Sequence, residues 1–93
     1  MVVYIILVYD ISNTDNGSFI QRNIYKTCKK YLYHVQNSVF EGELSESQYK
    51  RLLLDLKTYI RECDSVIVFK SRNGNWLEKE FLANDNDITS DFV

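Results

Sequence analysis

The sequence predicts an α+β domain in which two helices pack on one face of an antiparallel sheet, with the elements in the order β-α-β-β-α-β. Three features lead to this prediction: an apolar run at residues 2–9, a second apolar run at 64–70, and two segments between them with helical spacing. The chain has 93 residues, which is the size of a single domain.

The first strand is predicted at Val2–Tyr9, a β-branched run that stops at Asp10 and is apolar enough for a central strand covered on both faces. After a loop of turn-forming residues, Ser18 and Gln21 have the spacing of a capping box. They predict the start of a helix that ends near Leu32. Side chains three and four positions apart give this helix an apolar stripe of Phe19 or Ile20, Ile24, Cys28, Tyr31 and Leu32.

Residues 34–44 form the next strand region, in which side chains are expected to alternate between two faces. One face is expected to carry Val35, Asn37 and Val39, and the other His34, Gln36, Ser38 and Phe40. An amide, a hydroxyl and an aromatic ring on the second face suggest more than a core strand. Because the topology needs a hairpin here, we expect a short or bulged pair of strands, with a turn that the sequence does not locate.

The second helix is predicted to begin with another capping box, formed by Ser45 and Gln48, and to end near Ile60. The side chains expected to bury it are Tyr49, Leu52, Leu53, Leu56 and Ile60. Asp64–Lys70 is the last strong strand, because it is short, rich in β-branched residues and bounded by polar ones.

This order of elements is that of the ferredoxin-like fold, which we assign to residues 1–83. Asn73-Gly74 indicates a tight turn within it, after which residues 76–82 could run extended. Residues 84–93 are assigned to a separate C-terminal segment, since 85–93 are acidic and contain no basic residue.

Composition limits the possible functions. The formal net charge of −2 argues against a general nucleic-acid binder, so any contact with nucleic acid needs a local basic patch. Seven Tyr and five Phe predict a homodimer, because a domain this small keeps apolar surface after packing its own core. Cys28 and Cys63 lie far apart without a CxxC motif, which favours two buried reduced thiols over a zinc site. The run at 2–9 is too short for a membrane span, so we expect a soluble cytoplasmic protein without membrane contact.

Asp10 ends the first strand and has two interpretations. As a turn-capping aspartate, it would accept hydrogen bonds from N–H groups of the following loop. As a metal ligand it would need help, because Mg²⁺ prefers six oxygen ligands and one carboxylate supplies too few. A homodimer axis near the strand end would bring two Asp10 side chains together. A metal held there would polarise a phosphodiester and activate a water molecule.

Four basic residues follow one side of the first helix at positions i, i+4, i+7 and i+8: Arg22, Lys26, Lys29 and Lys30. A solvated helix face explains this pattern, and so does a row of phosphate contacts that dimerisation would double. His34 also has two interpretations, a general acid or base and an ordinary surface or interface histidine.

Four segments, in this order and at these spacings, resemble the Cas2 family of CRISPR-associated proteins. They are Tyr9-Asp10-Ile11-Ser12, Arg22 with Lys26, Val35-Gln36-Asn37-Ser38-Val39-Phe40-Glu41-Gly42, and Asp64-Ser65-Val66-Ile67-Val68-Phe69. The sequence departs from the family pattern at Phe69, which replaces the usual Tyr, at His34, where a basic residue often precedes Val-Gln, and at Ile20, where many members have an arginine.

The resemblance implies a ferredoxin-like homodimer that bridges two dimers of the CRISPR integrase and binds spacer-precursor duplex DNA. It also implies a metal-dependent endonuclease on RNA or DNA, with Mg²⁺ or another divalent cation bound by Asp10. Arg22 would contact a phosphate, and the catalytic surroundings of Asp10 would be Tyr9, Ser12, Ser38 and Phe40. The C-terminal segment would cross to the partner subunit and add a strand to its sheet edge.

Three functions stay open at this point. The first is a DNA-bridging scaffold for the integrase. The second is a metal-dependent endonuclease, which includes a stand-alone, toxin-like endoribonuclease on single-stranded RNA. The third is a small ligand-binding regulatory domain on the same fold. It would need a pocket, and it does not explain why Tyr9-Asp10 and Ser38–Phe40 combine polar and aromatic residues at these positions.

Overall fold

The computed structural model describes residues 2–72, 80 and 82. They form a four-stranded antiparallel sheet of order β2-β3-β1-β4 with two helices, which confirms the predicted α+β class. The elements are β1 (Val2–Asp10), α1 (Gly17–Tyr31), β2 (Tyr33–Gln36), β3 (Val39–Ser45), α2 (Glu46–Lys57) and β4 (Ser65–Ser71). The segments predicted at 73–74, 76–79 and 84–93 lie outside the described residues.

Strand β1 is buried on one face only. Val3, Ile5, Leu7 and Tyr9 are 0–4% exposed, and the residues between them are half-buried. The expectation that this strand is covered on both faces is therefore wrong for the described residues. The reason is topological: both β-α-β connections place their helices on the same side of the sheet, as crossovers of one hand require. We call the opposite side the open face.

The core lies between the helices and the covered side of the sheet. Its largest fully buried side chains are Phe40, Ile5, Leu7, Ile24, Leu52, Leu56 and Cys28. Helix α1 contributes Ile20 rather than Phe19, which is half-exposed. Both cysteines are free thiols, as predicted, but Cys63 is exposed and not buried, because it lies in the loop before β4.

Helix α1 does not begin with the predicted Ser18–Gln21 capping box. Its N-cap is Asn16, which has a left-handed backbone (φ 48°) and makes no capping hydrogen bond through its side chain. A Cβ atom on Gly17 would collide with the carbonyl oxygen of Ser12, so only glycine fits where the loop returns against the helix. This close approach starts the helix at Gly17 and leaves Ser18 inside it.

Helix α2 begins with the predicted capping box. The Ser45 Oγ accepts a hydrogen bond from the Gln48 N–H (3.1 Å), and the Gln48 Oε1 accepts one from the Ser45 N–H (2.9 Å). The helix ends at Lys57 and not near Ile60, and a turn continues the chain through N–H donors at 59 and 60 that reach the Leu56 carbonyl. Leu52 and Leu56 are the buried residues of this helix.

The region 34–44 is a hairpin, as the topology required. The chain reverses at Asn37 and Ser38, and a register irregularity lies between His34 and Gln36, which confirms the expectation of a short or bulged pair. The simple alternation of faces predicted for this region is wrong, because a two-residue turn interrupts the strand period. Asn37 is a turn residue with φ 41°, and Phe40 is fully buried in the core instead of being displayed.

Neither of the two described helices is long and apolar enough to cross a membrane.

Candidate nucleic-acid interface and metal ligand

Tyr9 and Asp10 point to opposite sides of the sheet. They are the last two residues of β1, where side chains alternate, and Tyr9 is buried on the helix side whereas Asp10 is exposed. Asp10 pairs with Ser65 on β4 at the end of the sheet. The carboxylate is therefore accessible on the open face, as its predicted role as a metal ligand requires.

Phe40 is the centre of an aromatic cluster on the helix side. Its ring lies 6.1 Å from that of Tyr9, 5.5 Å from that of Tyr25 and 4.9 Å from that of His34, between ring centroids. Burial is the main cause that raises the pKa of Tyr9 to about 12, which makes its phenol even less ionised at neutral pH than an exposed tyrosine. The Phe40 side chain has no exposed surface, so it cannot contact a ligand directly.

The β2–β3 turn is held in place by two hydrogen bonds. The Tyr9 N–H donates to the Ser38 carbonyl (3.1 Å), which ties the turn to β1. The His34 Nε2 lies 2.8 Å from the Asn37 carbonyl and must donate, since a carbonyl only accepts. His34 thus has a structural role that keeps the left-handed residue Asn37 in place.

A pocket of about 400 Å³ lies between the first turns of α1 and this turn. It is lined by Tyr9, Ser18, Gln21, Arg22, Tyr25, Asn37 and Ser38. The fold thus brings together three predicted site residues, Tyr9, Arg22 and Ser38, and it separates them from Asp10 on the open face. Gln21 and Tyr25 also line the pocket. From the sequence, Gln21 is predicted only as part of a helix cap, and Tyr25 has no predicted role.

Ser12 lies in the loop after β1, where it takes part in a network centred on Arg61 and Asp64. The Ser12 N–H donates to the Asp64 Oδ1 (2.9 Å), and the Arg61 Nη2 donates to the Ser12 carbonyl (3.0 Å). The Ser12 hydroxyl is within 2.9 Å of the Thr14 hydroxyl. Ser12 therefore shapes the loop beside Asp10, and its hydroxyl is already engaged locally.

Arg61 and Asp64 were not among the predicted site residues. The Arg61 guanidinium also donates to the carbonyls of Thr14 (2.9 Å) and Asp15 (2.6 Å), so one side chain fixes most of the loop between Asp10 and α1. The sequence contains one indication of Asp64: it is the first residue of the segment that resembles the family's last strand. Contacts across almost fifty residues leave no local pattern in the sequence.

The two helices form a basic layer. Their exposed cations are Arg22, Lys26, Lys29 and Lys30 on α1 and Lys50, Arg51 and Lys57 on α2. These helices contain only two acidic residues: Asp55 accepts a hydrogen bond from the Tyr31 hydroxyl of α1 (2.7 Å), and Glu46 pairs with Arg72 (3.1 Å). The open face carries the opposite charge through Asp10, Glu41 and Glu43, so an acidic chain still has one positive side.

A metal ion at Asp10 would need ligands beyond the described residues of this subunit. The described residues contain no group of three or more His, Cys, Asp or Glu side chains that could hold one. Glu41 shares the open face but pairs with Ile6, four residues before Asp10, which is about 13 Å along a strand. Asp64 is closer in the fold, but its oxygens are taken by Arg61 and Ser12.

Comparison with known proteins identifies the family. The family described as CRISPR associated protein Cas2 matches residues 1–79. A protein of Fusobacterium nucleatum named CRISPR-associated endoribonuclease Cas2 is 51% identical over 92 residues, covering 98% of this chain and 87% of the relative. One of Moorella thermoacetica, named CRISPR-associated endoribonuclease Cas2 2, is 40% identical over 90 residues, covering 95% and 99%.

Solved structures agree with this result. A structure titled "Crystal structure of cas2" has a TM-score of 0.81 and 33% identity, and the match covers 94% of this chain and 93% of that one. The crystal structure of Streptococcus pyogenes Cas2 at pH 6.5 has a TM-score of 0.70 and 28% identity, with 84% and 99% covered. The ferredoxin-like arrangement is therefore shared with Cas2 structures, and this chain belongs to the Cas2 family of CRISPR-associated proteins.

Proposed function

We propose that this chain binds nucleic-acid backbones through its basic helix layer as a subunit of the CRISPR adaptation complex. In that complex it would bind spacer-precursor duplex DNA and bridge two integrase dimers. The observation that carries the proposal is the separation of charge: seven exposed cations on the two helices oppose the carboxylates of the open face, although the chain has a net charge of −2.

Backbone contact fits this arrangement better than base readout. Lys and Arg on a convex helix surface reach phosphates, which position a protein on a duplex without reading its sequence. A bridging subunit has to accept spacers of many sequences, so contacts of this kind are sufficient. At physiological ionic strength charges are screened over about 8 Å, so a local positive layer can bind DNA despite the acidic remainder.

A homodimer would place two such layers on one particle. The open face offers the apolar surface for it, through half-exposed Ile67 and Phe69 on β4 and their neighbours Ile6 and Val8 on β1. A contiguous apolar sheet face exposed to water is typical of an interaction surface. The segment 84–93, which we expect to pair with the partner's sheet edge, lies outside the described residues, and its role stays a prediction.

A second function is endoribonuclease activity, which the names of the relatives and the exposed carboxylate of Asp10 favour. Asp10 lies at the end of the same open face, so a two-fold axis there would supply the second carboxylate that a divalent cation needs. Among the described residues, the donor set fits Mg²⁺ in this shared form, completed by water and phosphate oxygens. When bound, such an ion supplies Lewis-acid stabilisation of the phosphate and a more acidic water.

The other predicted site residues would act from the helix side. Tyr9 and Ser38 would help to seat the nucleic acid at the edge of the sheet, and Phe40 would hold the ring of Tyr9 in place. Ser12 would position the loop that follows Asp10. The chemical step itself would depend on the carboxylates of Asp10.

One experiment separates the two functions. The triple variant Arg22→Gln/Lys26→Gln/Lys30→Gln should weaken binding of duplex DNA by the complex with integrase, and lower the slope of log affinity against log salt by about 0.9 for each lost contact. Asp10→Ala should leave this binding and spacer integration unchanged while abolishing metal-dependent RNA cleavage. Salt titrations of DNA binding and cleavage assays with labelled RNA give the two readouts.

The matched control is Asn13→Asp/Gln36→Glu/Lys70→Gln, which changes the net charge by the same amount at exposed positions outside the two helices and keeps the pair of Glu46 with Arg72. It should bind DNA much more strongly than the α1 variant. Equal slopes for the two triple variants would contradict a backbone contact at the helix layer. Cleavage at the original rate by Asp10→Ala would place the nuclease activity elsewhere.

A further inference from the structure

The pocket beside Tyr9 lies on the opposite side of the sheet from Asp10 and differs in shape and chemistry from the basic layer. Its volume of about 400 Å³ falls in the range of small-molecule sites, which is about 300–1,000 Å³. The row of Lys and Arg along α1 continues away from it, and among the described cations only Arg22 lines it. A duplex is too wide to enter a concavity of this size, whereas a single nucleotide is not.

The walls of the pocket are fixed before any ligand binds. Phe40 packs against the rings of Tyr9 and Tyr25, which lie on the helix side of the sheet. The opposite wall is the β2–β3 turn, held by the Tyr9 N–H to Ser38 carbonyl bond and by the contact of His34 with the Asn37 carbonyl. Because these groups are already ordered, binding costs little additional conformational entropy.

The lining provides the groups that an unpaired nucleotide needs. Arg22 can contact a phosphate with two parallel N–H donors. Gln21 and Asn37 each offer both an amide donor and a carbonyl acceptor, the pair of groups that reads the edge of a base. Aromatic rings such as that of Tyr25 stack on bases, and sequence-selective proteins bind bases that are unstacked and unpaired.

We infer that this pocket binds one unpaired nucleotide of a single strand, with its phosphate on Arg22 and its base edge on Gln21 and Asn37. The inference rests on the proposed function, because it assumes a nucleic-acid ligand. Tyr9 and Asp10 are consecutive, so their Cα atoms are about 3.8 Å apart while their side chains lie on opposite faces. A strand that is seated in the pocket and continues past this end of the sheet would reach Asp10 on the other face, close to the seated nucleotide.

Gln21→Ala tests the pocket without touching the charges of the basic layer. Binding is measured with the full-length chain and EDTA, so that no strand is cut, using fluorescently labelled single strands of RNA and of DNA and a duplex of the same sequence. Gln21→Ala should weaken binding of single strands by about fivefold to tenfold, the effect of one lost hydrogen bond, and leave duplex binding unchanged. The matched control is Gln36→Ala, which removes an exposed amide of β2 outside the pocket and should change neither.

A double-variant cycle identifies the base as the group that is bound. In a set of strands, each strand carries one abasic site at a different position. At one of these positions the abasic site should weaken binding by the original chain. The same abasic site should cause no further loss of affinity for Gln21→Ala. A loss on RNA, on DNA or on both supports the pocket and shows which strand it accepts. Single-strand binding by Gln21→Ala equal to that of Gln36→Ala on both strands, or an equal loss on the duplex, would overturn the inference.

A failure of the pocket can be distinguished from a failure of the proposed function. If the triple variant of α1 loses duplex binding and Gln21→Ala behaves like its control, the pocket fails and the proposed function stands. If the original chain binds no duplex and cuts no RNA, but Gln21→Ala still loses single-strand affinity, the proposed function fails and the pocket stands.

Discussion

Asp64 accepts hydrogen bonds from four nitrogen atoms, although its side chain has no exposed surface. The donors are the Ser12 and Arg61 N–H groups (both 2.9 Å) and the Nε and Nη2 atoms of the Arg61 guanidinium (2.9 and 3.0 Å). The Arg61 side chain is the main cause that holds the pKa of Asp64 well below its ordinary range. A carboxylate bound in this way stabilises the loop between β1 and α1 as long as it stays ionised.

Asp64→Asn should therefore lower the free energy of unfolding by about 2 kcal/mol at pH 7, since it removes charge-assisted hydrogen bonds from a buried group. The folded-state pKa is below the unfolded value of about 4, so the stabilisation is complete above pH 4 and is lost as the pH falls further. The difference between the two chains should shrink below about pH 4. Urea unfolding at fixed protein concentration measures it.

Glu62→Gln is the control for this prediction, because Glu62 is an exposed carboxylate of the same segment. Its effect should stay within about 0.5 kcal/mol at every pH. A stability difference for Asp64→Asn that is constant between pH 7 and pH 3 would show that the negative charge of Asp64 does not stabilise the fold.

At the scale of single elements, the two helices begin in different ways although both open on Ser-x-x-Gln. In α2 the reciprocal bonds of Ser45 and Gln48 satisfy two backbone groups of the first turn. In α1 the N-cap is Asn16, and Ser18 lies in the first turn without capping it. The same local pattern is thus a cap in α2, whereas in α1 its Ser and Gln line the pocket beside Tyr9.

Ser45→Ala should lower the free energy of unfolding by about 1 kcal/mol, because it removes the capping acceptor. Ser18→Ala is the matched substitution in α1 and should change stability by only a few tenths of a kcal/mol, since alanine has the higher helix propensity. Thermal or urea unfolding of both variants provides the comparison. Equal losses would mean that Ser18 caps α1 in solution.

At the scale of the whole molecule, the sheet is covered by its own helices on one side only. The open face combines apolar residues, such as Ile67 (50% exposed) and Phe69 (56% exposed), with the carboxylate of Asp10 at its end. Covering this face with a second copy of the chain would bury more apolar area, and a domain of this size needs such burial for its stability. The proposed dimer and the proposed shared metal site therefore depend on the same face.

Phe69→Glu should convert the dimer into a monomer, raising the dissociation constant by roughly a hundredfold or more, because it would bury an unpaired charge. Leu54→Glu introduces the same charge on α2, where the side chain is 65% exposed on the helix side, and should leave the dimer intact. Sedimentation equilibrium at micromolar concentration measures both. A dimeric Phe69→Glu variant, or a monomeric original chain, would contradict dimerisation through the open face.

The parts of the site that could be predicted are those written in short segments. Asp10 at the end of an apolar strand and the row from Arg22 to Lys30 are visible as local patterns, and the structure places them on exposed surfaces. The pocket was not predicted, because it joins α1 to the β2–β3 turn and needs the position of that turn. Arg61 was missed for the same reason: its partners Ser12, Thr14 and Asp15 are 46 to 49 residues away.

The sequence by itself determined the order of the elements, the cap of α2, the family and the charged face of α1, because each depends on residues within a few positions of one another. Only the tertiary structure decided that β1 is buried on one face alone, that Phe40 lies at the centre of an aromatic cluster, and that α1 begins at Gly17. These features depend on contacts between distant segments, such as the approach of the Ser12 carbonyl to Gly17. Packing of this kind is a property of the whole fold, so no local pattern can specify it.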